Sequence, residues 1–260
     1  MSTIRVGSGF LRRDLFSAVT AARPGDVLVL DAGTYEVPDG FTIGNLVMTG
    51  AGERTEVVIE TAFNVTGHLK MSNLTLRSAP FKTAIHVNGQ RARVDLENVD
   101  VASDPTARYV GIWVDRGSLT MAGSRIWTSS SKDTPLGTSV LVEAGASIWL
   151  TDTHCGSSIV QLKRGTGTLS NAVMGCLLLE DASRVTSRDV VQMGNAANKR
   201  VLVLAGESTC SLATLRTTDA WTEGVVENSL LRLASFLPAP GAETEKVVLH
   251  TSGRGLVHAP

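Results

Sequence analysis

Five side chains able to do acid–base or stacking chemistry fall in successive copies of one short phrase. His86 sits in AIHVNG (84–89), Trp113 and Asp115 in GIWVDRG (111–117), Glu143 in SVLVEAG (139–145) and Lys163 in IVQLKRG (159–165). Two carboxylates separated by ~5–9 Å are what glycoside hydrolysis uses, one as acid and one as base or nucleophile. An indole beside them can stack on a sugar ring. Asp115, Glu143 and Lys163 are therefore the candidate catalytic set, and His86, Trp113, Arg108 and Tyr109 the candidate substrate-binding set. The plainer reading makes Asp115, Glu143, Lys163 and Glu180 a solvated charge ladder, with His86 an ordinary surface histidine.

These residues meet only if the phrase is a unit that stacks on itself. Further copies support that: AFNVTG (62–67), CLLLEDA (176–182), VLVLAGE (201–207) and VVLHTSG (247–253). Each alternates apolar and polar residues and ends in a turn, the mark of a half-buried strand. Alternation turns Ile85/Val87, Ile112/Val114, Val140/Val142 and Val160/Leu162 inward. It leaves two outward columns. One runs Asn64, His86, Trp113, Leu141, Gln161, Leu178, Val203; the other runs Thr66, Asn88, Asp115, Glu143, Lys163, Glu180, Ala205.

A second phrase alternates with the first, as in LVMTG (46–50), LKMSNLTL (69–76), VDLENVDV (94–101), LTMAGSRI (119–126) and IWLTDTHC (148–155). Its turn residue falls at Gly50, Asn73, Asn98, Gly123, Asp152, Ala172, Asp189, Thr214 and Ser235, at intervals of 17 to 29 residues. Loops of varying length inserted at a fixed point of a coil produce such a series. The expected fold is all-β, a right-handed parallel β-helix of nine to ten coils, each coil contributing three strands. Residues 1–260 then form one domain: a cap over 1–26, coils over 27–253 and a tail over 254–260. Phe10, Leu11, Leu15, Val19 and Ala22 share one face of a capping helix, with Ser8 as its N-cap and Pro24-Gly25 as its stop.

Composition agrees. Hydrophobic residues are 43% of the chain but aromatics only 5%, with 25 glycines, which favours short aliphatic strands joined by tight turns. A formal charge of −1 and scattered Lys and Arg argue against a nucleic-acid partner. Cys155, Cys176 and Cys210 form no CxxC pair, so they read as buried apolar filler and not as a disulfide or metal framework. The start of the chain shows no secretory leader and no run long enough to span a bilayer, so the expectation is a cytoplasmic protein with no membrane contact. No cofactor and no metal site is expected.

The run LFSAVTAARPGDVLVLDAGTYEV (15–37), followed by LVMTGAGERTEVVIE (46–60), resembles the opening of pectin-lyase-like β-helices. Pro24, Gly25, Asp26, Gly33, Thr34, Tyr35, Gly50, Ala51 and Gly52 carry the match. The resemblance implies a substrate cleft between the strand before the glycine turn and long loops, here 77–83, 102–110 and 127–138. It does not imply one activity, because that superfamily holds lyases, hydrolases, esterases, epimerases and non-catalytic modules. The polygalacturonase, pectin methylesterase and alginate epimerase signatures are missing. A calcium-lyase cluster is missing too, apart from Asp115–Glu143–Lys163. The first expectation is accordingly a non-catalytic binding or assembly module, with Leu141, Leu178 and Val203 as an outward apolar strip for a second copy or a protein partner. The alternative is a polysaccharide lyase or glycoside hydrolase working at His86, Trp113, Asp115 and Glu143. A phage-type glycan-binding adhesin is the third.

Overall fold

A computed structural model describes residues 2–7, 13–38, 40–78, 82–103, 110–128, 137–194, 200–218, 221–237 and 246–259. Almost every described element is a strand, and the strands pair in parallel with their counterparts one coil away. The result is a right-handed parallel β-solenoid of about nine turns with one short helix near its start. Three walls run along its axis. Sheet 1 contains Phe63–Val65, Ile112–Ala122 up to its first corner, Thr138–Val142, Ile159–Lys163 and Cys176–Glu180. Sheet 2 contains Leu46–Gly50, Ser147–Thr151, Thr166–Ser170 and Arg184–Ser187. Sheet 3 contains Val57–Glu60, Arg125–Thr128, Ala172–Met174 and Val190–Met193.

Register makes the core. Val87 pairs with Val114, Val114 with Val142 and Val142 with Leu162, and none of the four exposes any surface. Leu96, Met121 and Leu150 repeat the pattern on sheet 2. A single coil has no opposite layer to bury these side chains against; only the neighbouring coils enclose them. Each such aliphatic side chain contributes roughly 1.5–3 kcal/mol when fully buried.

Between sheets 2 and 3 the chain turns in one residue, which must adopt a left-handed backbone. Asn73, Asn98, Gly123, Asp152 and Asn171 do so, with φ from 48° to 57°. Asparagine tolerates that region better than other non-glycine residues. It also adds a bond along the stack: the Asn98 amide donates to Asn73 Oδ1 at 2.8 Å, and the Asn171 amide to Asp152 Oδ1 at 3.1 Å. Arg54 ties the same corner, donating to Asn98 Oδ1 and the Gly123 carbonyl and pairing with Asp100 at 3.2 Å.

Several expectations need correction here. Asn171, and not Ala172, takes the turn; Ala172 is the first residue of the next strand. Asp189 and Ser235 lie between strands without the left-handed backbone, whereas Gly50 ends one strand and Thr214 begins another. Gly50 is glycine for space, since a Cβ there would strike the Asn73 carbonyl. The helix spans Leu15–Ala21, and its N-cap is Asp14, whose carboxylate accepts from the Ser17 amide at 2.8 Å. Ser8, Phe10 and Leu11 lie outside the described residues, and Ala22 lies just past the helix end. Stacking also reaches beyond 27–253, because Thr3–Val6 pairs with Val27–Leu30 and Leu256–His258 pairs with 230–232.

The opening motif has a physical explanation. Asp26 accepts bonds from the Arg23 and Ser2 amides, which hold its carboxyl below the usual range and tie the turn to the first strand. The Tyr35 hydroxyl lies 2.7 Å from the Asp31 carbonyl and 3.2 Å from that of Val6, joining two coils.

Two substitutions test this architecture. Val114→Asp places an uncompensated charge in the aliphatic stack and should cost about 3 kcal/mol or more in chemical denaturation; a variant as stable as the parent would remove Val114 from the core. Asn98→Ala loses both the inter-coil bond and a residue suited to φ 54°, and should cost about 1–2 kcal/mol. Asn98→Gly should recover part of that loss.

Candidate functional site

Sheet 1 builds the outward columns by stacking. Thr42 pairs with Asn64, Asn64 with His86, His86 with Trp113, Trp113 with Leu141, Leu141 with Gln161, Gln161 with Leu178 and Leu178 with Val203. The first expected column is therefore present in register. Of the second, the ladder pairs only Lys163 with Glu180, and Asp115 and Glu143 follow the last paired rung, Val114 with Val142. Arg116, and not Asp115, stands opposite Asn88, because the strand bulges between Val114 and Arg116. Bulges re-aim side chains next to them.

Stacking decides how the aromatic groups are used. The His86 and Trp113 rings lie 4.3 Å apart at 13°, so one face of the indole is covered by the imidazole. The neighbour on its other side in the column is Leu141. The expected sugar platform at Trp113 is thus largely occupied by the protein, and the indole presents its edge. That edge is committed to a neighbour, since Nε1–H donates to Glu143 Oε2 at 2.8 Å on the next coil.

The other charged groups divide into two sets. Among the described residues Asp115 makes only a loose contact with Arg116, at 3.9 Å. Lys163 pairs with Glu180 at 3.9 Å, and the Gln161 amide donates to the same Glu180 oxygen at 2.8 Å. Lys163 is therefore drawn toward Glu180, away from the Asp115–Glu143 end. Sequence reasoning leaves Gln161 and Glu180 out of the candidate set. The signal is present all the same, since Gln161 interrupts an aliphatic column directly beside Leu178.

His86 is half-buried, and its Nε2 is enclosed without a hydrogen-bond partner. The neighbouring Asn64 Oδ1 is in the same state. Burial pushes the His86 imidazole below its usual range, and the negative charge of Asp115 works against that shift. At neutral pH the ring is uncharged. The cysteines behave as filler: all three are buried and free, and burial pushes each thiol up to about 12.

Arg108 and Tyr109 lie outside the described residues, as does most of the three expected loop walls. Leu141, Leu178 and Val203 are half-buried in the column, neither sealed nor fully exposed. Among the described residues no group of three or more His, Cys, Asp and Glu is placed to hold a metal, and no helix is long and apolar enough to cross a membrane.

No protein-family model matches the chain, and curated protein sequences give no match. Solved structures do resemble it in chain course. A pectin methylesterase crystallised with a hexasaccharide aligns over 96% of this chain and 92% of its own, with 11% identity and a TM-score of 0.49. The pectin methylesterase of Aspergillus niger aligns over 97% and 86%, with 14% identity and a TM-score of 0.46. An alginate lyase of family PL6 aligns over all of this chain but 40% of its own, with 14% identity and a TM-score of 0.42.

The electrostatics of the column are open to measurement. The His86 ring should titrate below the usual imidazole range in NMR, and Asp115→Asn should lower its midpoint further by removing the opposing charge. Because the folded value lies below the unfolded one, stability contributed at neutral pH is lost as pH falls below the unfolded imidazole pKa of ~6.5 toward the folded one. A midpoint unmoved in Asp115→Asn would separate the two residues. By its three stacked walls and its asparagine corner, the chain is in fold a right-handed parallel β-solenoid.

Proposed function

We propose that the chain is a carbohydrate-active β-helix that lays a saccharide across the sheet 1 columns and acts on it through Asp115 and Glu143. One observation carries this reading: the Glu143 carboxylate is aimed by the indole N–H of Trp113 at 2.8 Å, and Trp113 is itself locked on His86. A carboxylate held by a rigid donor, with no cation paired to it among the described residues, is preorganised in the way a proton-transferring or charge-stabilising group needs to be. The bulge places a second, loosely paired carboxylate, Asp115, one coil away. Gln161, Lys163 and Glu180 extend a polar, hydrogen-bonding surface along the axis, which suits the hydroxyl-rich edge of a glycan. The proposal rests on these side chains and not on the likeness to saccharide-acting proteins.

A glycoside hydrolase would use the two carboxylates as acid and base or nucleophile. A lyase would use one of the same groups, or Lys163, to remove a proton beside a carboxyl group. In both, Trp113 is a positioning residue that acts through Glu143. A non-catalytic binding or assembly role is the second reading, favoured by the half-buried Leu141, Leu178 and Val203, which offer an apolar strip to a partner.

The test is turnover on a panel of acidic and neutral polysaccharides, followed by new reducing ends and by the ultraviolet absorbance of unsaturated products. Asp115→Asn and Glu143→Gln should each lower turnover by about 100-fold or more, while the melting temperature stays that of the parent. Trp113→Phe keeps a ring on His86 but removes the donor, and should lower turnover with little change in KM. Saccharide binding with no turnover on any substrate would favour the non-catalytic reading.

A further inference from the structure

A second groove lies across the glycine turn from Asp115 and Glu143, on sheet 2. It arises from unequal turn lengths. Asn88 and Arg93 are five positions apart, whereas their partners Arg116 and Ser118 are two apart. The longer turn folds against the shorter one so closely that Gly117, at φ 95°, has no room for a Cβ beside the Ala92 and Gly89 carbonyls. Beneath it is a groove of about 810 Å³ lined by Gln90, Arg91, Arg93, Arg116, Ser147 and Trp149, among others.

Its lining is chemically one-sided. Three arginines line it and no Asp or Glu does, in a chain whose formal net charge is −1. The Arg91 side chain is exposed and makes no ion pair or hydrogen bond among the described residues. Among the described residues the Arg116 side chain has only its loose contact with Asp115. Arg93 directs its Nε to Asp95 at 2.9 Å, and its terminal amino groups make no bond among the described residues. Burial pushes Asp95 up, but its bonds from Arg93 and His68 outweigh that and keep it ionised, so Arg93 is held in place.

Trp149 completes the groove. It is 43% exposed, while Ile148 and Leu150 beside it are buried. Its neighbours in the column are Thr120 and Thr168, whose short side chains leave the outer part of the indole uncovered. Trp113, with a whole ring stacked on it, is in the opposite situation.

We propose that this groove binds an anionic saccharide, a sugar carrying carboxylate or sulfate groups, with a ring against Trp149 and its anionic groups on Arg91 and Arg116. Guanidinium forks match planar and tetrahedral oxyanions, the indole face takes the apolar side of a sugar ring, and the flanking Ser and Thr hydroxyls suit sugar hydroxyls. A single-stranded nucleic acid fits less well, because it stacks successive bases on successive aromatic groups and only one aromatic side chain lines the groove.

The experiment is calorimetric titration of the full chain carrying Glu143→Gln, so that turnover cannot consume the probe. Four probes are compared: a galacturonate hexasaccharide for carboxylate, a heparin hexasaccharide for sulfate, maltohexaose as the neutral sugar, and an oligothymidylate. At least one anionic saccharide should bind about tenfold or more tightly than maltohexaose, and more weakly as salt rises. Adding Arg91→Ala or Trp149→Ala should each weaken it by about tenfold; both positions are on the surface and leave the core intact. Which anionic probe wins identifies the oxyanion. Equal affinity for maltohexaose, no binding of either anionic saccharide, tighter binding of oligothymidylate, or unchanged affinity in both variants would overturn the proposal. None of these outcomes bears on turnover by Asp115 and Glu143.

Discussion

Every position in this molecule is set by the contact between a residue and its counterpart one coil away. Strands in parallel register stand about 4.8 Å apart, and that spacing repeats along three walls. An inward side chain is therefore sandwiched above and below by its own column before it meets the opposite wall. Val87, Val114, Val142 and Leu162 are such a column, and each is buried only because the next is there. A slip of one residue in any rung would turn the aliphatic column out and the polar column in. The asparagine corner opposes that slip: the bond from Asn98 to Asn73 forms only when both residues occupy the same turn.

The same spacing governs the candidate site. In a helix bundle, side chains reach a site from several directions. Here they stand in ranks, and flat rings in one rank cover each other. His86 and Trp113 do this at 4.3 Å, which removes an aromatic face from solvent but fixes an N–H direction. A stacked column is thus poor at presenting ring faces and good at aiming ring edges. Where the neighbours are small, as Thr120 and Thr168 are beside Trp149, more of the ring stays exposed. The two tryptophans differ in what they can offer because of the residues one coil away, and not because of their own strands.

What is legible in the sequence follows from which features are periodic. The inward and outward columns of sheet 1 can be read because alternation has a period of two and the phrase recurs. Asn73, Asn98, Gly123 and Asp152 can be read because a left-handed corner restricts residue type. The corner at Asn171 reads one residue late, because the repeating phrase locates the turn only to within a residue. In the later coils the corner is no longer a one-residue left-handed turn, so composition at Asp189, Thr214 and Ser235 is no guide. Sequence points to Ser8 as the N-cap when Asp14 does the capping, since the cap is identified by the contact of its carboxylate with the Ser17 amide. The bulge at Asp115 and the groove at Trp149 are not legible, because one depends on an extra residue in a single strand and the other on a difference in length between two consecutive turns.

That difference is where a solenoid acquires sites. A perfectly regular stack presents the same surface at every coil and has no reason to bind anything at one place. In this chain two register shifts flank Arg116: a bulge between Val114 and Arg116, and a turn between Asn88 and Arg93 that is longer than the one that follows it. On sheet 1 the bulge displaces Asp115 from its rank, one coil before the carboxylate that Trp113 holds. At the sheet 2 end the longer turn brings Arg91 and Arg93 to the groove shared with Arg116 and Trp149. The regular coils fix the backbone to within a strand spacing, and the inserted residues supply the departure from regularity on that rigid frame. The candidate groups are therefore concentrated over 86–149, and the coils on either side provide the length of core that keeps those residues in register.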